Sequence, residues 1–210
     1  MPTAFRNAMA AAASRRDGGV TMSRLIHLNG PPGIGKSTLA RRYAVDHPGV
    51  LDCDIDVLRS LVGGWEDDFA AVGEAIRPAA LAMISAYLAQ GRDVVLPQML
   101  ARLDELVRFE TAATEVGAAY VGVLLIDSGH DPVGRFHRRG GGALGTDEAW
   151  HRHVRDVVAS AGGDDALRAS VAALEAMREH RPDVTVVASV EGDVEQTYAD
   201  VLAVLAAGRE

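Results

Sequence analysis

The chain has few of the residues that disulfide-bonded, nucleic-acid-binding and membrane-spanning proteins require. It holds one cysteine, Cys53, in 210 residues, so no disulfide can form within the chain and a reducing, cytoplasmic location is expected. Aromatic residues make up only 5% and the formal net charge is −8, whereas a nucleic-acid groove needs basic and stacking side chains. Nucleic acid is therefore not expected as a partner. A membrane is not expected either, because no apolar run approaches the length of a transmembrane helix.

The rest of the composition is that of an ordinary globular protein. Hydrophobic residues make up 48% and charged residues 24%, and the length suits one substantial α/β domain. Residues 1–21 hold an alanine run and several arginines, and we expect a disordered N-terminal extension there, with a transit peptide as the alternative. Met22 stands just before the first predicted strand, so residues 22–210 are expected to form a single domain. Its oligomeric state stays open.

Lysine is also scarce, and the only one, Lys36, stands in the most informative stretch of the chain. Residues 30–38 read Gly-Pro-Pro-Gly-Ile-Gly-Lys-Ser-Thr and fit the phosphate-binding P-loop pattern G-x-x-x-x-G-K-[ST]. Glycines let the backbone wrap around a phosphate, and the start of the following helix adds partial positive charge. We predict that Lys36 contacts the β- and γ-phosphates of ATP and that Ser37 binds Mg²⁺. The predicted nucleotide contacts are Gly30, Pro31, Pro32, Gly33, Ile34, Gly35, Lys36, Ser37 and Thr38.

Strands alternate with helices along the chain, and the P-loop lies between the first of each. The predicted strands cover 24–29, 50–53, 93–96, 120–126 and 184–188. The predicted helices cover 36–47, 57–62, 75–90, 101–116, 131–139, 147–160, 165–180 and 193–207. This alternation predicts an α/β three-layer sandwich, in which a five-stranded parallel sheet carries helices on both faces. Ligands of such sheets bind beyond the carboxyl ends of the strands.

A second motif follows the second predicted strand. Asp54, Asp56 and Arg59 form D-x-D-x-x-R at the point where a helix begins. Here the chain resembles the small P-loop kinases: the gluconate, shikimate, adenylylsulfate and chloramphenicol kinases, the polynucleotide kinases and the zeta-type toxins. The resemblance covers about residues 24–205 in architecture and implies the P-loop NTPase fold, with ATP and Mg²⁺ as cofactors. It also implies transfer of the γ-phosphoryl group to a hydroxyl of a small-molecule acceptor. We further expect such a chain to be grouped with AAA-type ATPases.

The acidic motif offers a base and a binding group for this reaction. Phosphoryl transfer needs a group that accepts the hydroxyl proton, and we predict that Asp56 does so. Arg59 would hold the acceptor, and Asp54 would bind the acceptor or reach Mg²⁺. The alternative is that the carboxylates only cap the helix and that Arg59 is their surface partner, although both roles can coexist. Further predicted contacts to the acceptor come from Arg77 and Gln98.

A basic segment precedes a glycine-rich break at 140–145. Kinases of the type that this chain resembles close an arginine-bearing lid over the nucleotide. The resemblance therefore implies a lid or insertion at about 135–180. It also implies that Arg135 and Arg139 bind the nucleotide and take part in catalysis. Arginine can stack on adenine and bridge phosphates as their charge shifts. The alternative is a solvated basic helix end that the helix dipole favours.

Two features keep other functions open. The third predicted strand ends in Pro97 rather than in an acidic residue, so the carboxylate that binds Mg²⁺ stays open. The acceptor also stays open: a metabolite, a nucleoside or an antibiotic would each fit. The alternatives to a small-molecule kinase are a polynucleotide or nucleotide-sugar kinase and a nucleotide-binding regulatory ATPase.

Overall fold

The computed structural model of the protein describes residues 22–138 and 147–208. The predicted N-terminal extension at 1–21, Arg139 and the glycine-rich break lie outside the described residues. The strands are β1 Arg24–Asn29, β2 Leu51–Asp52, β3 Val94–Leu96, β4 Ala119–Asp127 and β5 Thr185–Ser189. The helices are α1 Lys36–Asp46, α2 Ile55–Ser60, α3 Phe69–Leu88, α4 Leu103–Thr114, α5 Pro132–Arg138, α6 Asp147–Ser160, α7 Asp164–Glu179 and α8 Val194–Ala207.

The five strands form one sheet in the order β2-β3-β1-β4-β5. All four neighbouring pairs are parallel, and Leu25 in the central strand β1 stands opposite Val94 in β3 and Tyr120 in β4. The predicted α/β fold with a five-stranded parallel sheet is confirmed. Because the strands are parallel, their carboxyl ends meet at one edge, and the loops that follow them can build one site.

Helices cover both faces of the sheet, so β1 is buried along its whole length. Leu25 packs into a core that includes Ile84 of α3, Leu106 of α4 and Leu174 of α7. Ile26 points the other way into a core that includes residues of α1 and α8. Successive side chains of a strand point to opposite faces, and burial on both faces explains why the predicted strands read as continuous apolar runs.

Helix α3 differs most from its predicted bounds, because it begins at Phe69 rather than at residue 75. The side chain of Asp68 caps it by accepting a hydrogen bond of 3.0 Å from the backbone N–H of Ala71. A carboxylate in this position stabilises a helix start.

The same helix meets the length and composition of a membrane span, and it is the one helix of the described residues that does so. This differs from the expectation that no apolar segment reaches such a length. Three residues of α3, Ala80, Ile84 and Leu88, are buried in the core beside the sheet. The expectation of no membrane contact stays a prediction.

Candidate active site

The P-loop follows the central strand and closes against two neighbouring elements. Gly30 and Gly33 have φ angles of +146° and +82°, which side chains disfavour. A Cβ atom added at Gly30 would lie 2.7 Å from the carbonyl oxygen of Leu125 in β4, and one at Gly33 would lie 3.1 Å from Cα of Phe136 in α5. The loop therefore needs glycine at these positions in order to lie against β4 and α5.

The mouth of the loop is open and electropositive. A Cβ atom added at Gly35 would have no atom of the described residues within 4 Å, so a phosphate group has room there. Helix α1 begins at Lys36, has no acidic residue in its first turn and receives no side-chain cap from Gly35, which leaves its first N–H groups for an anion. The Nζ of Lys36 donates to the carbonyl oxygens of Gly30 at 2.8 Å and Pro31 at 2.9 Å.

Asn29, the last residue of β1, ties the P-loop to the loop after β3. Its Oδ1 accepts from the backbone N–H groups of Gly30 at 2.8 Å and Leu100 at 3.0 Å, and its Nδ2 donates to the Leu100 carbonyl at 2.8 Å. The side chain is buried, so all three bonds lie out of water. The sequence analysis missed this residue, although a polar side chain at the end of an apolar strand is a signal that could have indicated it.

Arg135 lies behind the P-loop. Its Nη1 donates to the Asp127 carboxylate and to the Ser189 carbonyl, both at 2.8 Å, while its Nη2 donates to the Ile34 carbonyl at 3.0 Å and to the Ser189 Oγ at 2.9 Å. Its side chain is 10% exposed and that of Asp127 is 3% exposed. The guanidinium would have to leave these partners to reach a bound phosphate, so in this arrangement it links β4, β5 and the P-loop. Contact of Arg135 with the nucleotide stays a prediction.

The acidic motif begins α2 at the carboxyl end of β2. Asp54 caps the helix, because its Oδ1 accepts a bond of 2.9 Å from the backbone N–H of Asp56. The Asp56 carboxylate in turn forms an ion pair of 3.1 Å with Arg59, whose guanidinium stacks at 3.8 Å on the ring of Phe69. The capping alternative from the sequence is thus present, but both carboxylates also line the cavity in front of the P-loop. Capping and a chemical role are therefore compatible here.

The electrostatic surroundings make Asp56 a better proton acceptor than an ordinary aspartate. Burial and the neighbouring charge of Asp54 raise the pKa of Asp56, while Arg59, Lys36 and Arg77 act against this rise. The Asp56 side chain is still 39% exposed, so a hydroxyl group can reach it. A carboxylate with a raised pKa beside an open cavity is the environment expected of a general base.

One cavity of about 600 Å³ joins the two motifs. It lies between the P-loop, α2, α3, the end of β3 and helices α6 and α7. The predicted site residues that line it are Pro32, Gly33, Gly35, Lys36, Ser37, Asp54, Asp56, Arg59, Arg77 and Gln98. Those that do not line it are Gly30, Pro31, Ile34, Thr38 and Arg135. The predicted base, the predicted acceptor contacts and the phosphate loop therefore share one space large enough for a small molecule.

Gln98 is held in the cavity wall from beneath by His27. The Nε2 of His27 lies 2.8 Å from the Gln98 carbonyl oxygen, and its Nδ1 lies 2.7 Å from the Tyr120 hydroxyl. A carbonyl can only accept, so Nε2 carries the proton and Nδ1 accepts from Tyr120. Burial lowers the pKa of His27 to about 4, which keeps the ring neutral at physiological pH.

The residues around the P-loop fit a bound Mg²⁺ ion. The hydroxyl of Ser37 and the carboxylate of Asp54 belong to residues that line the same cavity. Within residues 22–138 and 147–208, no three His, Cys, Asp or Glu side chains gather as a ready-made metal cluster. Such a cluster is not required for Mg²⁺, which takes one or two protein ligands and completes its shell with phosphates and water.

Comparison with known proteins agrees with the P-loop assignment. The family described as AAA domain matches residues 25–142, a range that includes the P-loop, the acidic motif and α5. No curated protein sequence matches the chain.

Three solved structures share the fold. A gluconokinase from Sinorhizobium meliloti 1021 is 18% identical, with a TM-score of 0.59 over 90% of this chain and 94% of its own. A protein from Chloroflexus aurantiacus described as a kinase is also 18% identical, with a TM-score of 0.59 over 91% of this chain and 98% of its own. A chain of the Pnkp1/Rnl/Hen1 RNA repair complex is 19% identical, with a TM-score of 0.58 over 80% of this chain and 48% of its own. The predicted fold type of the small P-loop kinases is confirmed.

Proposed function

Because the chain belongs to the AAA domain family, whose match includes the P-loop and the acidic motif, we propose that it is an ATP-dependent kinase. In this proposal it transfers the γ-phosphoryl group of ATP to a hydroxyl of a small molecule. The observation that carries the proposal is the single cavity that Lys36, Ser37 and Asp56 line together. A phosphate loop and a carboxylate with a raised pKa are the two parts that such a transfer requires.

Lys36 and the start of α1 bind the phosphates. The Nζ of Lys36 exchanges its two P-loop carbonyls for phosphate oxygens, and the N–H groups at the start of α1 add their partial positive charge. Both stabilise the negative charge that shifts toward the leaving oxygen during transfer. Ser37 and Asp54 would hold Mg²⁺, which neutralises phosphate charge when bound.

Asp56 accepts the proton of the acceptor hydroxyl. The hydroxyl oxygen forms a new bond to the γ-phosphorus as the bond to the β–γ bridging oxygen breaks, so ADP and a phosphate ester leave. The ion pair with Arg59 fixes the orientation of the Asp56 carboxylate. Arg77 and Gln98, which line the same cavity, contact the acceptor.

A small-molecule acceptor is favoured over a polynucleotide. The chain is acidic, with a net charge of −8, and the acceptor side of the cavity includes the carboxylates of Asp54 and Asp56. A phosphate backbone would approach a chain of this net charge at a cost. A regulatory ATPase also needs a residue that positions its nucleophile, which is water, but it would not need a cavity for a second substrate beside that residue. The cavity next to Asp56 therefore favours the kinase.

The test is acceptor-dependent release of ADP by the purified protein. Sugar acids, nucleosides and hydroxyl-bearing antibiotics are screened with ATP and Mg²⁺, and the phosphorylated product is confirmed by mass spectrometry. Lys36→Ala should lower the rate by about 10²–10³, because a charge that stabilises the transferring phosphoryl group is lost. Arg178→Ala removes an exposed cation of α7 outside the cavity and is the matched control. A Lys36→Ala rate equal to wild type would reject the assignment of the P-loop.

A further inference from the structure

The lining of the cavity changes character where α6 and α7 contribute to it. Most of the side chains there are apolar, although Arg155 and Ser170 also line this part: Val154, Val157 and Val158 of α6, Ala161 of the connection and Ala166 and Leu167 of α7. The three valines are only half-buried, so apolar surface faces the open cavity. Water against such surface is unfavourable, and an apolar group of a bound molecule would displace it.

The charges on the acceptor side of the cavity are already matched. Arg59 is paired with Asp56 at 3.1 Å, and Arg77 is paired with Glu105 at 2.9 Å. Two further arginines of the lining, Arg41 and Arg155, are exposed to solvent, where water weakens their attraction for an anion. An anionic acceptor would therefore have to compete with carboxylates for Arg59 and Arg77.

Hydrogen-bonding capacity is nevertheless left over in the same wall. The Nε atoms of Arg59 and Arg77 and the Oε1 atom of Gln98 are buried and have no hydrogen-bond partner within the described parts of the chain. All three residues line the cavity. Buried polar groups are normally satisfied, and hydroxyl or carbonyl groups of a ligand would satisfy these without any charge.

From these observations we propose that the acceptor is an uncharged alcohol that carries an apolar group. Its hydroxyl lies at Asp56, its neutral polar groups meet the unpartnered atoms of Arg59, Arg77 and Gln98, and its apolar group packs on the valines of α6. The inference rests on the proposed kinase function and selects among the acceptors that this function leaves open: it favours amphiphilic alcohols over sugar acids.

The test is calorimetric binding of two probes to the wild-type chain loaded with a non-hydrolysable ATP analogue and Mg²⁺. The probes are 3-phenylpropane-1,2-diol, which is neutral and apolar at one end, and gluconate, which is anionic and polar throughout. The diol should bind about tenfold more tightly, the effect expected from burying a few methylene-sized groups. Tighter binding of gluconate, or equal binding of the two probes, would overturn the proposal.

Variants separate the apolar contact from the general stability of the fold. Val158→Asn should weaken diol binding about tenfold, because an amide replaces part of the apolar wall. Val45→Asn, on the exposed face of α1 outside the cavity, is the matched control and should leave diol binding unchanged. If Val158→Asn fails to fold, as judged by its thermal transition, Val157→Thr replaces it. Equal binding of the diol by the α6 variant and the control would overturn the proposal.

A third variant tests the charge argument independently. Glu105→Gln removes the partner of Arg77 without touching the cavity lining, so it should strengthen gluconate binding several-fold and leave diol binding unchanged. No gain for gluconate would contradict the charge argument.

Binding of the ATP analogue to wild type and Lys36→Ala is measured alongside. If wild type binds the analogue and Lys36→Ala does not, a preference for gluconate rejects only the proposed class of acceptor. If wild type itself does not bind the analogue, both the kinase function and this inference are rejected.

Discussion

An aspartate–arginine ion pair lies on each side of the P-loop, and the two pairs differ in almost every other respect. In front, Asp56 and Arg59 are 3.1 Å apart, and the Asp56 side chain is 39% exposed. Behind, Asp127 and Arg135 are 2.8 Å apart, and the Asp127 side chain is only 3% exposed. The front pair borders a cavity, while the rear pair is closed in by Ile34 and Ser189.

The degree of hydrogen-bond satisfaction separates the two roles. The rear guanidinium donates to the Asp127 carboxylate, two carbonyls and the Ser189 hydroxyl, whereas the front guanidinium leaves its Nε unpartnered among the described residues. A fully satisfied buried network holds a structure in place. A partly satisfied one beside a cavity has capacity for a ligand. We therefore expect changes in front to affect the rate and changes behind to affect stability.

The largest effect is expected from Asp56→Asn. The amide keeps the size of the side chain but cannot accept a proton, so kcat should fall by about 10²–10⁴ while ATP affinity and the melting temperature stay close to wild type. The measurement is steady-state phosphorylation of the best acceptor from the screen. Asp67→Asn, an exposed carboxylate outside the cavity, is the control. If Asp56→Asn keeps wild-type kcat and Asp54→Asn is inactive, the roles of the two carboxylates are reversed.

Behind the loop, Arg135→Met should act on folding. It leaves the Asp127 carboxylate buried without its cation, and breaking a buried pair in this way costs about 3–5 kcal/mol of unfolding free energy. Denaturant unfolding measures this loss.

Arg138→Met is the matched control for Arg135→Met, because it lies on the same helix and forms exposed pairs with Asp131 and Glu191. Such pairs contribute at most about 1 kcal/mol. Equal unfolding free energies for the two variants would remove the structural role of Arg135 and favour the contact with the nucleotide predicted from the sequence.

A smaller effect is expected where the loop joins β1. Asn29→Ala removes three hydrogen bonds and leaves the N–H groups of Gly30 and Leu100 unpaired, at a cost of about 1–3 kcal/mol of unfolding free energy. Because the start of the P-loop loses its anchor, the KM for ATP should rise as well. Denaturant unfolding and ATP titration measure the two effects, and a loss of stability with unchanged KM would limit Asn29 to a structural role.

The two sides of the loop were also unequally predictable from the sequence. The P-loop and the motif of Asp54, Asp56 and Arg59 are each contiguous, so both could be found in the sequence, and the resemblance to small P-loop kinases supplied the chemistry expected of them. The surroundings of Arg135 depend on Asp127 and Ser189, which become neighbours only because β4 pairs with β5. A local pattern cannot distinguish such an arginine from one in a lid.

The same reasoning explains what was missed in front of the loop. The contact of Asn29 with Leu100 joins residues 71 positions apart. The mostly apolar wall of α6 and α7 forms only when these helices pack around the cavity in front of the P-loop. The sequence predicted these helices at 147–160 and 165–180, but helical periodicity does not say what the apolar face contacts. The start of α3 was placed six residues late, although Asp68 supplies a side-chain cap at Phe69.

The most direct test of Asp56 as the proton acceptor is the pH dependence of kcat/KM for ATP in the wild type and in Asp56→Asn, because kcat/KM reports ionisations of the enzyme before ATP and Mg²⁺ bind. Burial and Asp54 raise the pKa of Asp56, so this carboxylate takes up its proton at a higher pH than an ordinary aspartate, whose pKa is about 3.9. Wild-type kcat/KM should therefore fall as the pH decreases through a value above that reference, and the residual kcat/KM of Asp56→Asn should lack this fall. The same acid limb in both proteins would contradict the assignment of Asp56 as the base.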